Sequence, residues 1–258
     1  MGPYSLFQIL RKLLVYWLTA KTRHSVHSPF VFAFISDVLP NKQNSSFIDI
    51  EQLRRRLKRS KELIEFEDHG KGGVVVQKKV GSIAKLSLKP RKYAELLAKT
   101  CNYFKVENAL ELGTSLGLTS AYIARSIKGR LQTYEGSKSV VQLAEQNWAE
   151  LGINNIDISC GPFENTVFSS DFHKPLDFVF IDGNHQKQPT LAYYKHLIKS
   201  CHERTVLVFD DIHWSKDMED AWELIKAEEA VTTTLDLFFI GIVFLRKELS
   251  KEHFTIRY

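Results

Sequence analysis

The sequence contains little cysteine and no long hydrophobic run. Its 258 residues include three cysteines, Cys101, Cys160 and Cys201, an odd number that also lacks the close spacing of a metal site. The longest apolar stretch near the N-terminus, residues 13–18, is too short to span a bilayer, and no signal-peptide cleavage pattern follows it. We therefore expect a globular protein of the reducing cytoplasm, without stable membrane insertion.

Acidic residues are scarce in the N-terminal third of the chain. Residues 1–92 hold 18 Lys and Arg against 7 Asp and Glu, a surplus of +11, whereas the remaining 166 residues hold 17 against 23, a net charge of −6. An anionic substrate, a membrane surface or an acidic neighbouring subunit would each suit this surplus. The arginines of residues 54–59 have no interleaved aromatics and form no nucleic-acid motif, so we expect a solvated helix face and no nucleic-acid partner.

Hydrophobic content, at 44%, is high enough for a full core. We expect one domain, residues 80–258, with an N-terminal helical extension, residues 1–79, that acts as a substrate wall, a lid or an oligomer contact. Within the extension, residues 6–18 carry apolar side chains at three- and four-residue steps, which predicts a helix with one broad apolar face. Docking on the body of the protein or on a second subunit, as in a homodimer, is favoured over peripheral membrane contact.

Strands and helices alternate after residue 107. Apolar runs predict strands at residues 109–112, 131–134, 156–159, 177–181 and 205–209, with helices near 117–127, 138–151, 189–201 and 215–227. Residues 231–237 and 239–245 are two further strands that should pair as a hairpin. This pattern predicts an α/β fold, a doubly wound and mostly parallel sheet of seven strands with helices on both faces. A further helix is expected over residues 49–66.

A glycine turn joins the first of these strands to its helix. Gly113 and Gly117 let the backbone approach a small ligand closely, and the free N–H groups at the helix start favour a carboxylate or phosphate. Thr114, Ser115 and Leu116 separate the two glycines, so the Gly-x-Gly-x-x-Gly spacing of dinucleotide-binding proteins is absent. The loop is therefore poorly suited to a pyrophosphate.

An acidic residue ends the second strand of the alternation. Glu135 follows the glycines by about 20 residues, where a carboxylate can accept both ribose hydroxyls of a nucleoside. With Glu111, which opens a Glu-x-Gly-x-x-x-Gly pattern, this arrangement resembles the class I S-adenosylmethionine-dependent methyltransferases over roughly residues 80–246. The resemblance implies S-adenosylmethionine as the cofactor. It implies as cofactor-binding residues Glu111, Gly113, Ser115, Gly117, Thr119, Glu135, Gly136, Ser137, Phe163 and Asp182.

Carboxylates also follow the fourth and fifth strands. Asp182 follows one, and Asp210 and Asp211 end the other; three such charges repel one another unless a cation or a proton intervenes. Mg²⁺ prefers oxygen ligands of this kind. The pattern resembles the bacterial metal-dependent O-methyltransferases of the natural-product and sugar type, whereas a catechol-type member would carry Asn in place of Asp211. The resemblance implies all three carboxylates as metal ligands, although a metal-free site, with Asp182 on the methionine amine, stays open.

A histidine lies close to the first of these carboxylates. His185 can accept the proton of an acceptor hydroxyl near neutral pH, which makes it the candidate general base and, with Asp182, a candidate catalytic residue. A histidine that orients the loop or the metal ligands fits equally well, and His213 is a weaker alternative base. We therefore predict methyl transfer from S-adenosylmethionine to a hydroxyl of a small-molecule acceptor, with help from a divalent metal.

Three alternatives to this function stay open on the sequence alone. The first is a methyltransferase for small molecules that needs no metal. The second is a NAD-dependent oxidoreductase, which would need the glycine spacing that the loop lacks. The third is a non-catalytic, membrane-associated binding protein, which the intact glycines and acids at the strand ends disfavour.

Overall fold

The chain is organised as two compact units in the computed structural model, which describes residues 2–40, 45–68, 74–172 and 174–258. One unit comprises residues 1–40 and 172–258, and we call it the split unit; the other comprises residues 41–171, and we call it the central unit. The expected boundary between residues 79 and 80 falls inside the central unit. The role expected for residues 1–79, as a substrate wall, a lid or an oligomer contact, stays a prediction.

Helices and strands follow one another along the whole chain. In the first part they are α1 (Leu6–Thr19), α2 (Pro29–Val38), α3 (Ile48–Arg59), β1 (Leu63–Asp68), β2 (Val74–Lys79), α4 (Val80–Leu86) and α5 (Arg91–Phe104). The regular alternation then comprises β3 (Asn108–Leu112), α6 (Leu118–Ala124), β4 (Arg130–Glu135), α7 (Lys138–Glu150), β5 (Ile156–Cys160), α8 (Phe163–Thr166), β6 (Leu176–Ile181), α9 (Lys187–Leu197), β7 (Cys201–Asp210) and α10 (Lys216–Ala227). The C-terminal strands are β8 (Thr233–Asp236), β9 (Ile240–Phe244) and β10 (Glu252–Thr255).

The strands pair mostly in parallel. In the central unit β4 lies between β3 and β5 and is parallel to both. In the split unit the order is β10, β8, β9, β7, β6, with β6 parallel to β7 and β8 parallel to β10. The α/β fold with a mostly parallel sheet is thus confirmed. The C-terminal hairpin is confirmed as well, because β9 is antiparallel to both β7 and β8.

The alternating elements form because their apolar side chains have a buried surface to cover. Strand β6 reads Leu-Asp-Phe-Val-Phe-Ile, and five of its six residues are buried, as expected for a parallel strand covered on both faces. Helix α7 instead buries only one stripe, formed by Val140, Val141, Ala144, Asn147 and Trp148. These two patterns distinguish a central strand from a covering helix in the sequence itself.

Two details of the predicted architecture differ from the structure. The helix expected over residues 49–66 ends at Arg59, because the extended Ser60 terminates it, and β1 follows as an antiparallel partner of β2. Residues 64–67 read Ile-Glu-Phe-Glu, an alternation of period two that suits a strand better than a helix. From β3 onward the described residues form eight strands rather than the expected seven, because the short β10 pairs with β8.

Helix α1 docks on the split unit by one of its faces. The Tyr16 hydroxyl donates to the Ile256 carbonyl at 2.5 Å, and the Tyr16 ring packs against Phe238 with ring centres 5.3 Å apart. The expected docking on the body of the protein is confirmed for this face, whereas Leu6, Phe7 and other apolar side chains of the helix are exposed. Among the described residues, no helix is both long enough and apolar enough to cross a membrane.

Candidate active site

The glycine turn between β3 and α6 is held in an unusual backbone conformation. Gly113, Ser115 and Gly117 all have positive φ, at 97°, 50° and 76°, a region that L-residues other than glycine rarely adopt. The N–H groups of Gly113 and Thr114 both donate to the Tyr134 carbonyl, at 3.0 and 3.2 Å. The loop is therefore fixed to the end of β4, the strand beside it.

Helix α7 holds the far end of the same loop. The Trp148 indole N–H donates to the Gly117 carbonyl at 2.7 Å, and the Asn147 amide donates to the Leu116 carbonyl at 2.9 Å. A Cβ at position 117 would lie 2.5 Å from the Trp148 indole nitrogen. Glycine is thus required at 117 by packing and by its positive φ, and the sequence alone did not identify Trp148 as the reason.

Glu111 lies beneath the loop and is fully buried. Its carboxylate accepts a hydrogen bond from the Thr133 hydroxyl at 2.8 Å and another from the Ser120 hydroxyl. These bonds tie β3 to β4 and to the first turns of α6. The expected contact of Glu111 with a cofactor stays a prediction, and in this structure its carboxylate braces the loop from inside.

Glu135 ends β4 and is oriented by backbone donors. Its carboxylate accepts from the Ser115 N–H at 2.9 Å and from the Ser137 N–H at 3.0 Å. The Ser115 hydroxyl beside them is buried and has no hydrogen-bond partner among the described residues. Sequence reasoning placed Ser115 and Glu135 at two successive strand ends, and the structure brings them together.

Three further predicted cofactor residues lie near this strand end or on the loop's helix. Gly136 follows Glu135 directly, and Thr119 is 7% exposed in the first turn of α6. Phe163 is the first residue of α8, a short helix that begins just after Gly161. The Gly161 N–H donates to the Glu135 carbonyl at 2.9 Å, which brings the chain before Phe163 to the end of β4.

In the split unit, carboxylates gather with a histidine. Asp182, His185 and Asp210 each offer a potential ligand atom, and these three atoms lie within 4.8 Å of one another. Asp210 is buried, whereas Asp182 and His185 are partly exposed. We call these three residues the convergent cluster. The structure thus brings together two of the three predicted metal ligands and adds the histidine that was expected to act as a base.

The third predicted ligand lies beside the convergent cluster. The imidazole Nε2 of His185 is 3.6 Å from an Asp182 oxygen and 3.9 Å from an Asp211 oxygen. Asp211 has a positive φ of 52°, and its N–H donates to the Phe239 carbonyl at 2.7 Å. This backbone conformation sets the direction of the Asp211 side chain. Asp210 and Asp211 are adjacent in the sequence, but only Asp210 belongs to the convergent cluster.

The donor set of the convergent cluster suits a divalent cation. Carboxylate oxygens are the ligands that Mg²⁺ and Mn²⁺ prefer, and an imidazole nitrogen is accepted more readily by the transition metals. Two carboxylates that face each other also favour a cation between them on electrostatic grounds. The residues present therefore fit a bound divalent ion.

His213, the alternative base, is engaged on both sides of its ring. Nδ1 lies 2.9 Å from a Glu219 oxygen and Nε2 lies 2.8 Å from an Asp236 oxygen. Burial by itself would lower the pKa of His213, but the carboxylates of Asp236 and Glu219 outweigh burial and raise that pKa above its usual value. Both ring nitrogens thus already face carboxylates, which favours His185 over His213 as the base, and the alternative assignment of His213 stays a prediction.

Comparisons with known proteins agree with this arrangement. Residues 110–212 match the family described as "Methyltransferase domain", a span that begins in β3 and ends just after β7. No curated protein matches the sequence.

Solved structures share the fold at low sequence identity. A cofactor-bound protein from MTB is 17% identical with a TM-score of 0.61, and the match covers 87% of this chain and 100% of that one. The O-methyltransferase from Bacillus cereus in complex with SAH is 21% identical with a TM-score of 0.56, covering 83% and 97%. The O-methyltransferase TomG from Streptomyces achromogenes, involved in tomaymycin synthesis and solved with SAM, is 18% identical with a TM-score of 0.56, covering 83% and 94%.

The methyltransferase-domain match favours methyl transfer over the oxidoreductase and the non-catalytic alternatives. The family match supplies the activity class, and the solved structures supply the fold. Residues 110–212 thus carry a methyltransferase domain, and the chain shares its fold with solved O-methyltransferases that hold SAH or SAM.

Proposed function

We propose that the protein methylates a hydroxyl group of a small-molecule acceptor, with S-adenosylmethionine as methyl donor and a divalent cation as aid. The observation that carries this proposal is the convergent cluster, in which ligand atoms of Asp182, His185 and Asp210 lie within 4.8 Å of one another. Carboxylates this close repel one another unless a cation or a proton intervenes, which supports a cation in the proposed reaction.

The loop and strand ends of the central unit supply the cofactor-binding groups in this proposal. The Ser115 hydroxyl is buried without a partner among the described residues, which suits a ligand that offers it a hydrogen bond. The Glu135 carboxylate, oriented by the N–H groups of Ser115 and Ser137, is the group proposed to accept the two ribose hydroxyls. Gly113, Gly117, Thr119, Gly136, Ser137, Phe163 and Glu111 complete the proposed set of this unit, and Asp182 of the split unit is a further proposed contact.

The convergent cluster supplies the metal-binding groups. Asp182 and Asp210 would hold the ion, with Asp211 or His185 as a further ligand, and Mg²⁺ or Mn²⁺ fits such donors. When bound, the ion would lower the pKa of an acceptor hydroxyl and so make the oxygen a better nucleophile. The same donors suit a role for Asp182 in both metal binding and catalysis.

Methyl transfer then requires one proton acceptor. The acceptor oxygen forms a bond to the methyl carbon, the bond from that carbon to sulfur breaks, and its electron pair stays on sulfur to give S-adenosylhomocysteine. The hydroxyl proton passes to Nε2 of His185, which has no hydrogen bond within the described structure and faces Asp182 and Asp211 at 3.6 and 3.9 Å. These carboxylates stabilise the imidazolium that forms.

A metal-independent version of the reaction is the second candidate. The observation in its favour is that Asp182 lies close enough to His185 to orient the imidazole and to stabilise its charge without any cation. The two candidates differ in the effect of chelation, which would stop the reaction only in the first.

The test is transfer of a labelled methyl group from S-adenosylmethionine to pools of hydroxyl-bearing acceptors, with Mg²⁺, with Mn²⁺ and with EDTA. We expect labelled product that requires the cation and that falls at least about 100-fold in Asp210→Asn, since a charged ligand is lost. Glu203→Gln, an exposed acid outside the cluster, is the matched control and should keep full activity. Full transfer in EDTA would contradict the metal, and transfer to nitrogen acceptors only would contradict the hydroxyl.

The role of His185 is tested separately. His185→Gln keeps a polar side chain but cannot accept a proton at neutral pH. We expect unchanged affinity for S-adenosylhomocysteine and a turnover about 100-fold lower, partly restored at high pH where the acceptor ionises by itself. Turnover equal to wild type would show that this histidine only orients its neighbours.

A further inference from the structure

The cations of helix α3 divide into two groups. Arg54 is buried, donates to Glu51 at 2.8 Å and to the Lys89 carbonyl at 2.7 Å, and Arg56 pairs with Glu150. The other three, Arg55, Lys58 and Arg59, are exposed and have no hydrogen bond or ion pair within the described part of the chain. Contacts within the fold explain Arg54 and Arg56, whereas no such contact among the described residues explains the three exposed cations.

The unpaired cations of α3 share a cavity with lysines from a second segment. The cavity has a volume of about 520 Å³ and lies between the end of α3 and the start of α4. Six of its lining residues are cationic, and none of its lining residues is acidic. We call it the basic pocket; its cations are Arg55, Lys58, Arg59, Lys61, Lys79 and Lys85.

The two segments are brought together by a close backbone approach. A Cβ at Gly81 would lie 2.5 Å from the Ser60 carbonyl oxygen, so only glycine allows α4 to begin this close to the end of α3. The Val80 N–H also donates to the Glu62 carbonyl at 2.9 Å. The fold therefore holds like charges around one concavity instead of spreading them over the surface.

Six cations around one cavity repel one another, and no carboxylate within the described residues pairs with any of them. An anion in the cavity would remove this repulsion. Arginine binds phosphate with two parallel hydrogen bonds, and lysine binds it as a point charge. A single carboxylate would leave most of the cations uncompensated, and the volume falls within the range of small-molecule sites.

We propose that the basic pocket binds a ligand with two or more phosphate groups. None of its lining residues belongs to the proposed cofactor or metal sites, so the inference does not depend on the proposed reaction. The phosphate groups belong either to a soluble small molecule or to lipid headgroups, and both sources present the same chemistry to the pocket.

The test is calorimetric titration of the full-length protein with pyrophosphate. We expect saturable binding that weakens at least about tenfold in the triple variant Arg59→Gln, Lys79→Gln and Lys85→Gln, and also weakens as salt is added. The control triple variant Lys128→Gln, Lys195→Gln and Lys199→Gln removes the same charge from exposed positions elsewhere and should bind like wild type.

Additional measurements distinguish a folding defect from a loss of binding and identify the source of the phosphate groups. Affinity for S-adenosylhomocysteine should be unchanged in both triple variants, and if the first one fails to fold, the double variant Lys58→Gln and Lys61→Gln replaces it. Sedimentation with vesicles of phosphatidylcholine and phosphatidylglycerol, lost in the pocket variant, supports the proposal with a lipid headgroup as the source. Pyrophosphate binding without sedimentation supports it with a soluble ligand.

Two results would overturn the proposal. One is a wild-type protein that binds no pyrophosphate, or that binds it as well as the pocket variant does. The other is tighter binding of a short DNA duplex than of pyrophosphate, which would make the same cations a nucleic-acid surface.

Discussion

The split unit contains two clusters with the same chemical components and opposite geometry. Each consists of two carboxylates and one histidine: Asp182 and Asp210 with His185, and Glu219 and Asp236 with His213. In the second cluster the ring lies between its carboxylates, at 2.9 and 2.8 Å, and both nitrogens are used. In the convergent cluster the potential ligand atoms face one another within 4.8 Å, and the nearest imidazole distance is 3.6 Å.

This difference separates a structural cluster from a candidate catalytic one. The cluster around His213, which we call the closed cluster, satisfies its charges internally, and Tyr4 and Lys12 add bonds to Glu219 at 2.7 and 2.8 Å that fasten the start of the chain. The convergent cluster brings potential ligand atoms of its three residues within 4.8 Å of one another and leaves the histidine without a hydrogen bond among the described residues. The engagement of the histidine, and not the identity of the side chains, thus distinguishes the two clusters.

We expect the two clusters to differ most in how much stability the protein loses when the histidine of each cluster is replaced. His213→Gln removes the imidazole between Glu219 and Asp236 and leaves only Lys12 among the described residues, on the Glu219 side, to offset their charges, so we expect the free energy of unfolding to fall by about 3 kcal/mol. His185→Gln removes no hydrogen bond seen in the described residues and should change stability by less than about 0.5 kcal/mol. Urea unfolding of both variants at pH 6 makes the comparison. Equal losses would show that the two clusters do not differ in kind.

Next in size is the effect of divalent cations. A ligand at 100 times its dissociation constant stabilises a folded protein by about 2.7 kcal/mol. We expect thermal unfolding of wild type to shift upward with Mn²⁺ or Mg²⁺, and no shift in Asp182→Asn. Glu219→Gln, from the closed cluster, should keep the shift although its baseline stability is lower. A shift that survives in Asp182→Asn would place the cation elsewhere.

A smaller effect is the dependence of the closed cluster on pH. The pKa of His213 in the folded protein is raised above the ordinary 6.5, so its stabilisation is complete below that pH and is lost as pH rises through the folded pKa. Burial would raise the pKa of Glu219, but bonds from Lys12, Tyr4 and His213 lower it below 4.5. Its contribution is therefore present above pH 4.5 and is lost as pH falls through the folded pKa.

The stability difference between wild type and His213→Gln should thus be largest between pH 4.5 and 6.5. Urea unfolding of both proteins at a series of pH values measures it. A difference that grows above pH 6.5 would have the wrong sign and would refute the protonated histidine.

The smallest expected effect concerns the fastening of α1. Lys12→Met keeps the apolar stem and removes the ion pair with Glu219, and because the Lys12 side chain is 35% exposed we expect a loss of no more than about 1 kcal/mol. Arg11→Met is the matched control on the exposed side of the same helix and should have no measurable effect. A loss of several kcal/mol would contradict this expectation and show that Lys12 stabilises the protein as strongly as the members of the closed cluster do.

Much of the fold was predictable because apolar side chains recur at different sequence spacings in strands and in helices. The runs that became β3 to β7 and the hairpin of β8 and β9 were found within a few residues, since each contains a short run with strand character, which is continuously apolar over Phe178–Ile181 in the buried β6. The short β10 has four residues and no apolar run, so no local pattern identifies it. The strand β1 was hidden because the charged helix before it continues into an alternating sequence without a glycine or proline between them.

The candidate site was predictable in position more than in detail. Glu135 and the glycine loop were expected at strand ends, and the structure joins Ser115 and Glu135 by a hydrogen bond of 2.9 Å. The inward direction of Glu111 depends on Thr133, a residue of the neighbouring strand that spacing in the sequence does not reveal. The choice between His185 and His213 likewise depends on residues distant in the chain, because Asp236 fixes one ring nitrogen of His213.

The most direct test of the central claim is calorimetric titration of the purified protein with S-adenosylhomocysteine. The account predicts saturable binding at one site, weakened at least about tenfold in Glu135→Gln, because a neutral amide loses charge-assisted bonds to backbone N–H groups and to ribose hydroxyls. No heat of binding in the wild-type protein, or equal affinity in the variant, would contradict it.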